Sequence, residues 1–267
     1  MGRAIRFFLK RRGLRSLSPG PAPWRREAPL LRSCGGGERG VGCRRGGGAE
    51  RLPEKRMITI DVWSDFSCPH CVIGLARLWK LLGELGEEEV RPVMHAFELL
   101  PDAPKNPEGT AADGFARKCY LSHDDAVACM DRLSKVGREE GLPGMDWAGA
   151  IPANTRDAHR LFRWAAAHGV SCMHGRLMRA YFCSHLNLSS HEVLAGLAEK
   201  AGLNRDEALA MLSSDAYLKE VLDDEREACD LGIHSVPTFL VNREARFLGS
   251  DHFPEMKAWI LAHRKNG

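Results

Sequence analysis

Hydrophobic and polar positions follow three different rhythms along this chain. Ile58-Thr59-Ile60-Asp61-Val62-Trp63 alternates apolar and polar side chains with a period of two, which predicts a half-buried strand. After Ser64-Asp65-Phe66-Ser67 the apolar positions Val72, Leu75, Trp79 and Leu82 recur at helical spacing as far as Gly83. That spacing predicts a helix opening at or just after Cys68, and Pro69 suits its first turn, where a missing N–H costs nothing. Val93, His95, Phe97 and Leu99 alternate again and predict a second strand ended by Pro101. From Thr110 to Gly232 the pattern is helical throughout, broken at Gly141 to Gly144, Gly169, Gly202 and Gly232. Three cap signals mark helix starts there: Asn154-Thr155 before Arg156-Asp157, Ser189 three residues before Glu192 as in a capping box, and Asn204 before Asp206-Glu207. Pro237 to Val241, a turn at Asn242-Arg243-Glu244, and Ala245 to Leu248 read as a hairpin, and Pro254 to His263 as a last helix. The order is β-α-β, a long helical insertion, then β-β-α. This is an α/β fold in which 57–104 and 233–267 form one domain and 105–232 an inserted all-helical domain.

Residues 1–56 lie outside these rhythms. They hold 15 Lys/Arg against 4 Asp/Glu, while the remainder holds 23 against 31, so the overall +3 divides into a leader of +11 and a body of −8. The leader carries Gly35-Gly36-Gly37 and Gly46-Gly47-Gly48 without apolar periodicity, a composition expected to stay disordered. It reads as an unstructured extension or as sequence upstream of a start at Met57, with an Arg-rich organelle transit peptide as the alternative. An acidic body lacks the positive face that gathers phosphate backbones, which sets nucleic-acid binding aside. No apolar run reaches the eighteen or so residues that span a bilayer, and no membrane partner is expected. Nine cysteines is an odd count, and Cys119, Cys129, Cys172, Cys183 and Cys229 fall within helical patterns without short, repeated spacing. That usage fits reduced thiols in a cytosol or comparable compartment, or in an organelle if the leader is a transit peptide.

Cys68-Pro69-His70-Cys71 is the most informative tetrapeptide, because two intervening residues at a helix start hold both sulfurs within disulfide reach. Zinc would need a second ligand pair with its own short spacing, and none occurs, so no metal is expected. The first N–H groups of a helix lack intrahelical partners and carry partial positive charge, which favours a thiolate over a thiol. Cys68 is therefore the expected nucleophile and Cys71, one turn deeper, the resolving thiol; a protonated His70 would add a nearby positive charge. Val236-Pro237-Thr238 opens the strand after the insertion. Proline in a sheet suits only edges and strand starts, and here the segment resembles the cis-proline loop of thioredoxin-like folds. A cis bond would turn the Val236 backbone toward the dithiol, leaving its N–H and C=O to pair with a substrate strand. Asn154 and His159, on a predicted helix, are further candidates facing the dithiol, although a cap and a packed histidine are their plainer readings.

Several segments together carry a wider resemblance: Asp61-Val62-Trp63-Ser64-Asp65, Cys68 to Gly74, Phe97-Glu98-Leu99, Asn154-Thr155 with Ala158-His159-Arg160-Leu161, and Leu231-Gly232-Ile233 through Val236-Pro237-Thr238-Phe239. They resemble the DsbA-like thioredoxin proteins of the FrnE type, a predominantly cytosolic branch related to kappa-class glutathione transferases and 2-hydroxychromene-2-carboxylate isomerases. The resemblance covers about residues 57–264. It implies a thioredoxin fold with an inserted helical domain over the dithiol, disulfide oxidoreductase activity on a disulfide-containing protein or small thiol, no dissociable cofactor beyond glutathione as a candidate co-substrate, and a candidate homodimer. Two departures stand out. His70 occupies a position that is usually Trp in the FrnE type, which leaves the redox direction open. Gly249-Ser250-Asp251-His252 looks like the Gly-x-Asp-Arg segment that grips the γ-glutamyl end of glutathione in kappa-class relatives, with His252 in place of Arg, so Ser250 and Asp251 join the candidate binding residues. The rival readings are a glutathione-dependent transferase or isomerase, and a non-enzymatic chaperone using the helical groove.

Overall fold

A computed structural model of the chain describes residues 57–86 and 90–264. The expected leader, 1–56, lies outside the described residues. The first strand, β1 (Ile58–Ser64), is followed by α1 (Pro69–Leu85) and β2 (Val90–Ala96), which pairs parallel to β1 in the register Ile58↔Val90 to Ser64↔Ala96. Seven helices then separate β2 from the remaining strands: α2 (Ala111–Cys119), α3 (His123–Glu139), α4 (Arg156–Ala167), α5 (Met173–Ser184), α6 (His191–Lys200), α7 (Arg205–Leu212) and α8 (Leu218–Asp230). The hairpin β3 (Thr238–Val241) and β4 (Ala245–Leu248) and the helix α9 (Phe253–His263) close the chain. The sheet order is β2-β1-β3-β4, with β3 antiparallel to both β1 and β4.

β2 differs from its expected bounds at both ends, for separate reasons. It begins at Val90, before Pro92, because it is an edge strand of the sheet, where a missing N–H is tolerated. It stops at Ala96 and not near Pro101, because the Ala96 N–H is taken by Asp224 Oδ2 at 2.7 Å and the Leu99 N–H by Asp65 Oδ2 at 2.5 Å. The chain leaves the ladder with its donors already satisfied by carboxylates. α1 runs through Gly83 and ends at Gly86, whose φ of 88° lets its N–H reach back to Leu82 O at 3.0 Å. The expected cap at Ser189 falls one residue later, where the Ser190 hydroxyl accepts from Val193 N. Asn204 accepts from Asp206 N and Glu207 N as a cap should.

One hydrophobic core runs from the sheet (Ile60, Val62, Phe239) through α1 (Leu75, Leu78) into the helices after β2 (Leu161, Leu177, Tyr181). Buried charge reinforces that junction. His95 on β2 stacks on Trp63 at 4.3 Å and bonds Asp61 Oδ1 at 2.8 Å and Asp224 Oδ1 at 3.0 Å, while Arg163 pairs with Asp224. Burial alone would push the His95 imidazole down, yet the two carboxylates hold it above its ordinary value.

α1 crosses the sheet against the start of β3, and the crossing tolerates no side chain at Gly74. A Cβ built there would lie 2.8 Å from Pro237 Cγ and 3.3 Å from Phe239 Cζ. Gly74→Ala should therefore force α1 and the Pro237 segment apart and destabilise the fold by about 1–3 kcal/mol, as overpacking does. Urea unfolding of the variant against the parent chain checks this, and an unchanged midpoint would contradict the packing argument.

Candidate active site

The dithiol sits where β1 hands over to α1. Cys68 is the N-cap of α1, in extended conformation (φ −90°, ψ 117°), and Pro69 opens the first turn. Its carbonyl accepts from Cys71 N at 3.1 Å and Val72 N at 3.3 Å, so the tetrapeptide is wound tightly enough to stack one sulfur behind the other. Both cysteines are free thiols. Cys71 is sealed, whereas Cys68 keeps 4% of its surface exposed. Burial first, and the neighbouring Cys68 second, push the Cys71 thiol well above the ordinary range, so Cys71 stays protonated until something removes its proton. The two sulfurs are thus made unequal by position: one at the rim and the helix start, one beneath it.

The Val236–Pro237 peptide is cis, and Val236 O accepts from Cys68 Sγ at 3.5 Å. Cys68, Cys71, Val236 and Pro237 therefore come together. His70 stands on the outer side of the tetrapeptide near Asp251 and Arg77. Burial lowers its imidazole below the usual value, opposed by Asp251 and assisted by Arg77, so the positive charge expected from a protonated His70 is disfavoured. The helix terminus, not the histidine, is the standing source of positive potential at Cys68. Ser250 and Asp251 are held to α1 by Arg77, whose Nη1 donates to Ser250 O and to Asp251 Oδ1, each at 2.7 Å. Asn154 and His159 are engaged elsewhere. The Asn154 amide donates to Glu98 Oε2 at 2.9 Å and Pro101 O at 2.7 Å, tying α4 to the segment after β2. The His159 ring lies 4.6 Å from that of Phe66.

Asp65 was not among the expected site residues, yet its backbone N–H donates to Cys71 Sγ at 3.4 Å. Its carboxylate is fully buried and accepts from Ser67 N at 2.9 Å and Leu99 N at 2.5 Å. Burial pushes the carboxyl up to about 6 against the pull of those hydrogen bonds. Tyr181, from α5, is the other newcomer: burial and the charges of Asp65 and Cys68 push its phenol up, which places it in electrostatic reach of both. An aspartate three residues before a Cys-x-x-Cys motif carries a signal in the sequence, but Tyr181 gives none, since only the tertiary fold brings it near.

A family model described as DSBA-like thioredoxin domain matches residues 59–260. The chain belongs to this DsbA-like thioredoxin family. Among solved structures, a probable DsbA oxidoreductase from Streptomyces coelicolor is similar at 30% identity, with 77% of this chain and 90% of that one covered and a TM-score of 0.71. A 2-hydroxychromene-2-carboxylate isomerase is similar at 20% identity over 78% and 97% of the two chains, TM-score 0.58. DsbM, a cytosolic disulfide reductase from Pseudomonas aeruginosa, is similar at 17% identity over 78% and 100%, TM-score 0.51. The last two share the fold. No curated protein matches the chain. The thioredoxin-like α/β fold with its helical insertion is thus the fold of this DsbA-like chain.

The Asp65 carboxyl in this DsbA-like site makes stability depend on pH with a definite sign. Its folded value, about 6, lies above the roughly 3.9 of an unfolded aspartate. Its contribution is fully present below the unfolded value and is lost as pH rises through the folded one, a change on the order of 2–3 kcal/mol. Between about pH 3.5 and 6.5, the window set by those two values, the parent chain should lose stability relative to Asp65→Asn. Paired urea titrations at the two ends of the window measure the difference; parallel behaviour of the two proteins would remove Asp65 as the cause.

Proposed function

We propose that this DsbA-like chain is a thiol-disulfide oxidoreductase that works through Cys68 and Cys71. The observation that carries the reading is the placement of the rim sulfur against the cis Val236–Pro237 segment, with its partner sulfur buried one turn behind. Cys68 thiolate attacks one sulfur of a substrate disulfide, and the other sulfur leaves as a thiolate. Cys71 then gives its proton to Asp65 and attacks Cys68 Sγ. The second substrate sulfur leaves, and the Cys68–Cys71 disulfide holds the two electrons' worth of oxidation taken from the substrate. Run in reverse, the same steps oxidise a dithiol. Val236 offers its backbone to the substrate segment beside the sulfur under attack. Resolution needs a proton acceptor for Cys71, and the reading that Asp65 serves is supported by its carboxyl, which ionises near pH 6 and lies in electrostatic reach of Cys71.

The FrnE-type and cytosolic readings fit reduced thiols and a −8 body. Among the described residues no helix is long and apolar enough to cross a membrane. A glutathione-linked variant of the exchange is favoured by one feature, the carboxylate of Asp251 held at the His70 rim by Arg77; DsbM has been solved with GSH. A transferase or isomerase reading would require activity on an electrophile or chromene acid that survives Cys71→Ser. A chaperone reading would require undiminished holdase activity after Cys68→Ser and Cys71→Ser.

Poising the chain in glutathione buffers should give, by mass spectrometry, a reversible loss of two hydrogens on the peptide holding Cys68 and Cys71. Cys71→Ser should accumulate the mixed disulfide on Cys68. Asp65→Asn should slow its resolution on the order of 100-fold at pH 7 while leaving the first attack little changed, and the parent's resolution rate should climb as pH passes about 6. The absence of a two-hydrogen couple would refute the oxidoreductase, and normal resolution in Asp65→Asn would remove Asp65 from the mechanism. Asp251→Ala should raise KM for glutathione without altering turnover with dithiothreitol if the rim carboxylate binds the tripeptide.

A further inference from the structure

His159 of α4 and His174 of α5 line a common cavity together with Phe66, Met94 of β2 and Phe162. Neither Cys68 nor Cys71 contributes to its wall. The space leaves about 10 Å³ for the centre of a water-sized occupant, roughly what one small atom or molecule requires. Both histidines are buried, at 4% and 8% exposure, and in each the Nε2 atom is sealed from solvent without a hydrogen-bond partner. A buried polar atom left unpaired costs about 1–3 kcal/mol, so two of them around one cavity point to a ligand between them. The Phe97 carbonyl lies close enough to the His159 ring to favour a proton on it. With Nε2 left unpartnered, that proton belongs on Nδ1 and Nε2 keeps its lone pair. An imidazole oriented in this way by a backbone carbonyl is the usual support of a metal ligand.

We propose that this cavity is a binding site for one soft, low-coordinate cation, Cu(I), held between Nε2 of His159 and Nε2 of His174 with the Met94 thioether alongside. Imidazole and thioether are ligands that suit such a cation, whereas Mg²⁺ or Ca²⁺ would need several oxygens. The carboxylates nearby are committed. Asp224 and Glu227, which bring ligand atoms within 4.8 Å of His95, are already paired with Arg163 and Arg243. The charged donors that face the cavity, Arg163 and His95, are likewise spent on Asp224 and Asp61, so the uncommitted ring nitrogens present an acceptor surface suited to a Lewis acid. Burial holds His159 down at about 3 and His174 at about 4, which keeps protons from competing for the nitrogens at physiological pH. The rings of Phe66 and Phe162, 5.0 and 5.5 Å from the His174 ring, give the cavity an apolar wall that does not supply the hydration a harder ion would keep.

The test must separate the imidazoles from the thiols, which also bind Cu(I). It uses the full-length chain carrying Cys68→Ser and Cys71→Ser, with its remaining accessible thiols capped by N-ethylmaleimide, titrated with Cu(I) buffered by bicinchoninate. The expected result is one bound equivalent and a shift of the ¹⁵N resonances of both Nε2 atoms, with affinity falling at least tenfold in His159→Gln or His174→Gln. If either glutamine variant fails to fold, the resonance shifts in the parent background decide. Uptake of Cu(I) with both Nε2 resonances unmoved would overturn the proposal. So would a crystal of the Cu(I)-treated chain showing only a water between the two rings. Because both redox cysteines are absent from the tested chain, this outcome is independent of the disulfide-exchange reading.

Discussion

The contact between the first turns of α1 and the start of β3 is the constraint on which the rest depends. With Gly74 presenting no side chain, the Pro237 ring and Phe239 close directly onto the helix. The same approach sets Val236 O at 3.5 Å from Cys68 Sγ. The site is assembled from two segments far apart in the chain, and the seven intervening helices have to return it to register. They can do so because β3 pairs with β1, in the register Ile60↔Val241 to Trp63↔Thr238, so the strand that delivers Cys68 also receives Pro237. A single antiparallel pairing converts sequence distance into adjacency.

Electrostatic asymmetry follows from that geometry. A helix start faces the rim sulfur, while the second sulfur is pushed one turn inward, where burial keeps it a thiol. The segment that turns from β1 into α1 must satisfy its own backbone in the interior, and Asp65 does this by accepting from Ser67 N and Leu99 N. That structural task buries an acid of about 6 within electrostatic reach of Cys71. The same desolvation that raises Asp65 and Cys71 lowers His70, so one physical cause moves three groups toward their neutral forms.

Much of this was legible in the residues because it is local. Period-two alternation located β1, helical spacing located α1, and the turn residues Asn242 and Arg243, both at positive φ, separated β3 from β4 as expected. The dithiol at a helix start and the proline before β3 were legible for the same reason. What escaped was decided by partners remote in sequence. Alternation continues through Phe97 and Leu99, but Asp224 and Asp65 capture the donors that a longer β2 would have used. The charge of His70 depends on its burial, and Tyr181 reaches Asp65 and Cys68 only through the packing of α5. Asn154 and His159 were expected to face the dithiol from one helix, but Asn154 lies two residues before α4 and holds Glu98 and Pro101 while His159 packs against Phe66, because a pattern cannot say whether such a residue faces a sulfur, a carbonyl or a ring.

Those two residues show what the insertion is built to do at its junction with the sheet. The end of β2 is a sheet edge whose N–H donors no neighbouring strand takes, with a half-buried histidine beside it, and the helices answer it group by group. Asp224 of α8 takes Ala96 N and His95, Asn154 holds Glu98 and Pro101, Arg156 pairs with Glu98 Oε1 at 2.7 Å, and the Trp63 indole donates to Asp224 O at 3.2 Å. These bonds join the helical segment to the sheet or to the stretch that follows β2, and all but the exposed Asn154–Pro101 contact are buried or half-buried, where an unmade partner costs more than a made one gains. Polar complementarity therefore fixes how the helices seat, and the apolar core beneath supplies the bulk of the cohesion without specifying the angle. The loop that carries Asp65, whose backbone N–H reaches Cys71 Sγ, is held through Leu99 to this same seam. The dithiol inherits its placement from contacts that contain no sulfur.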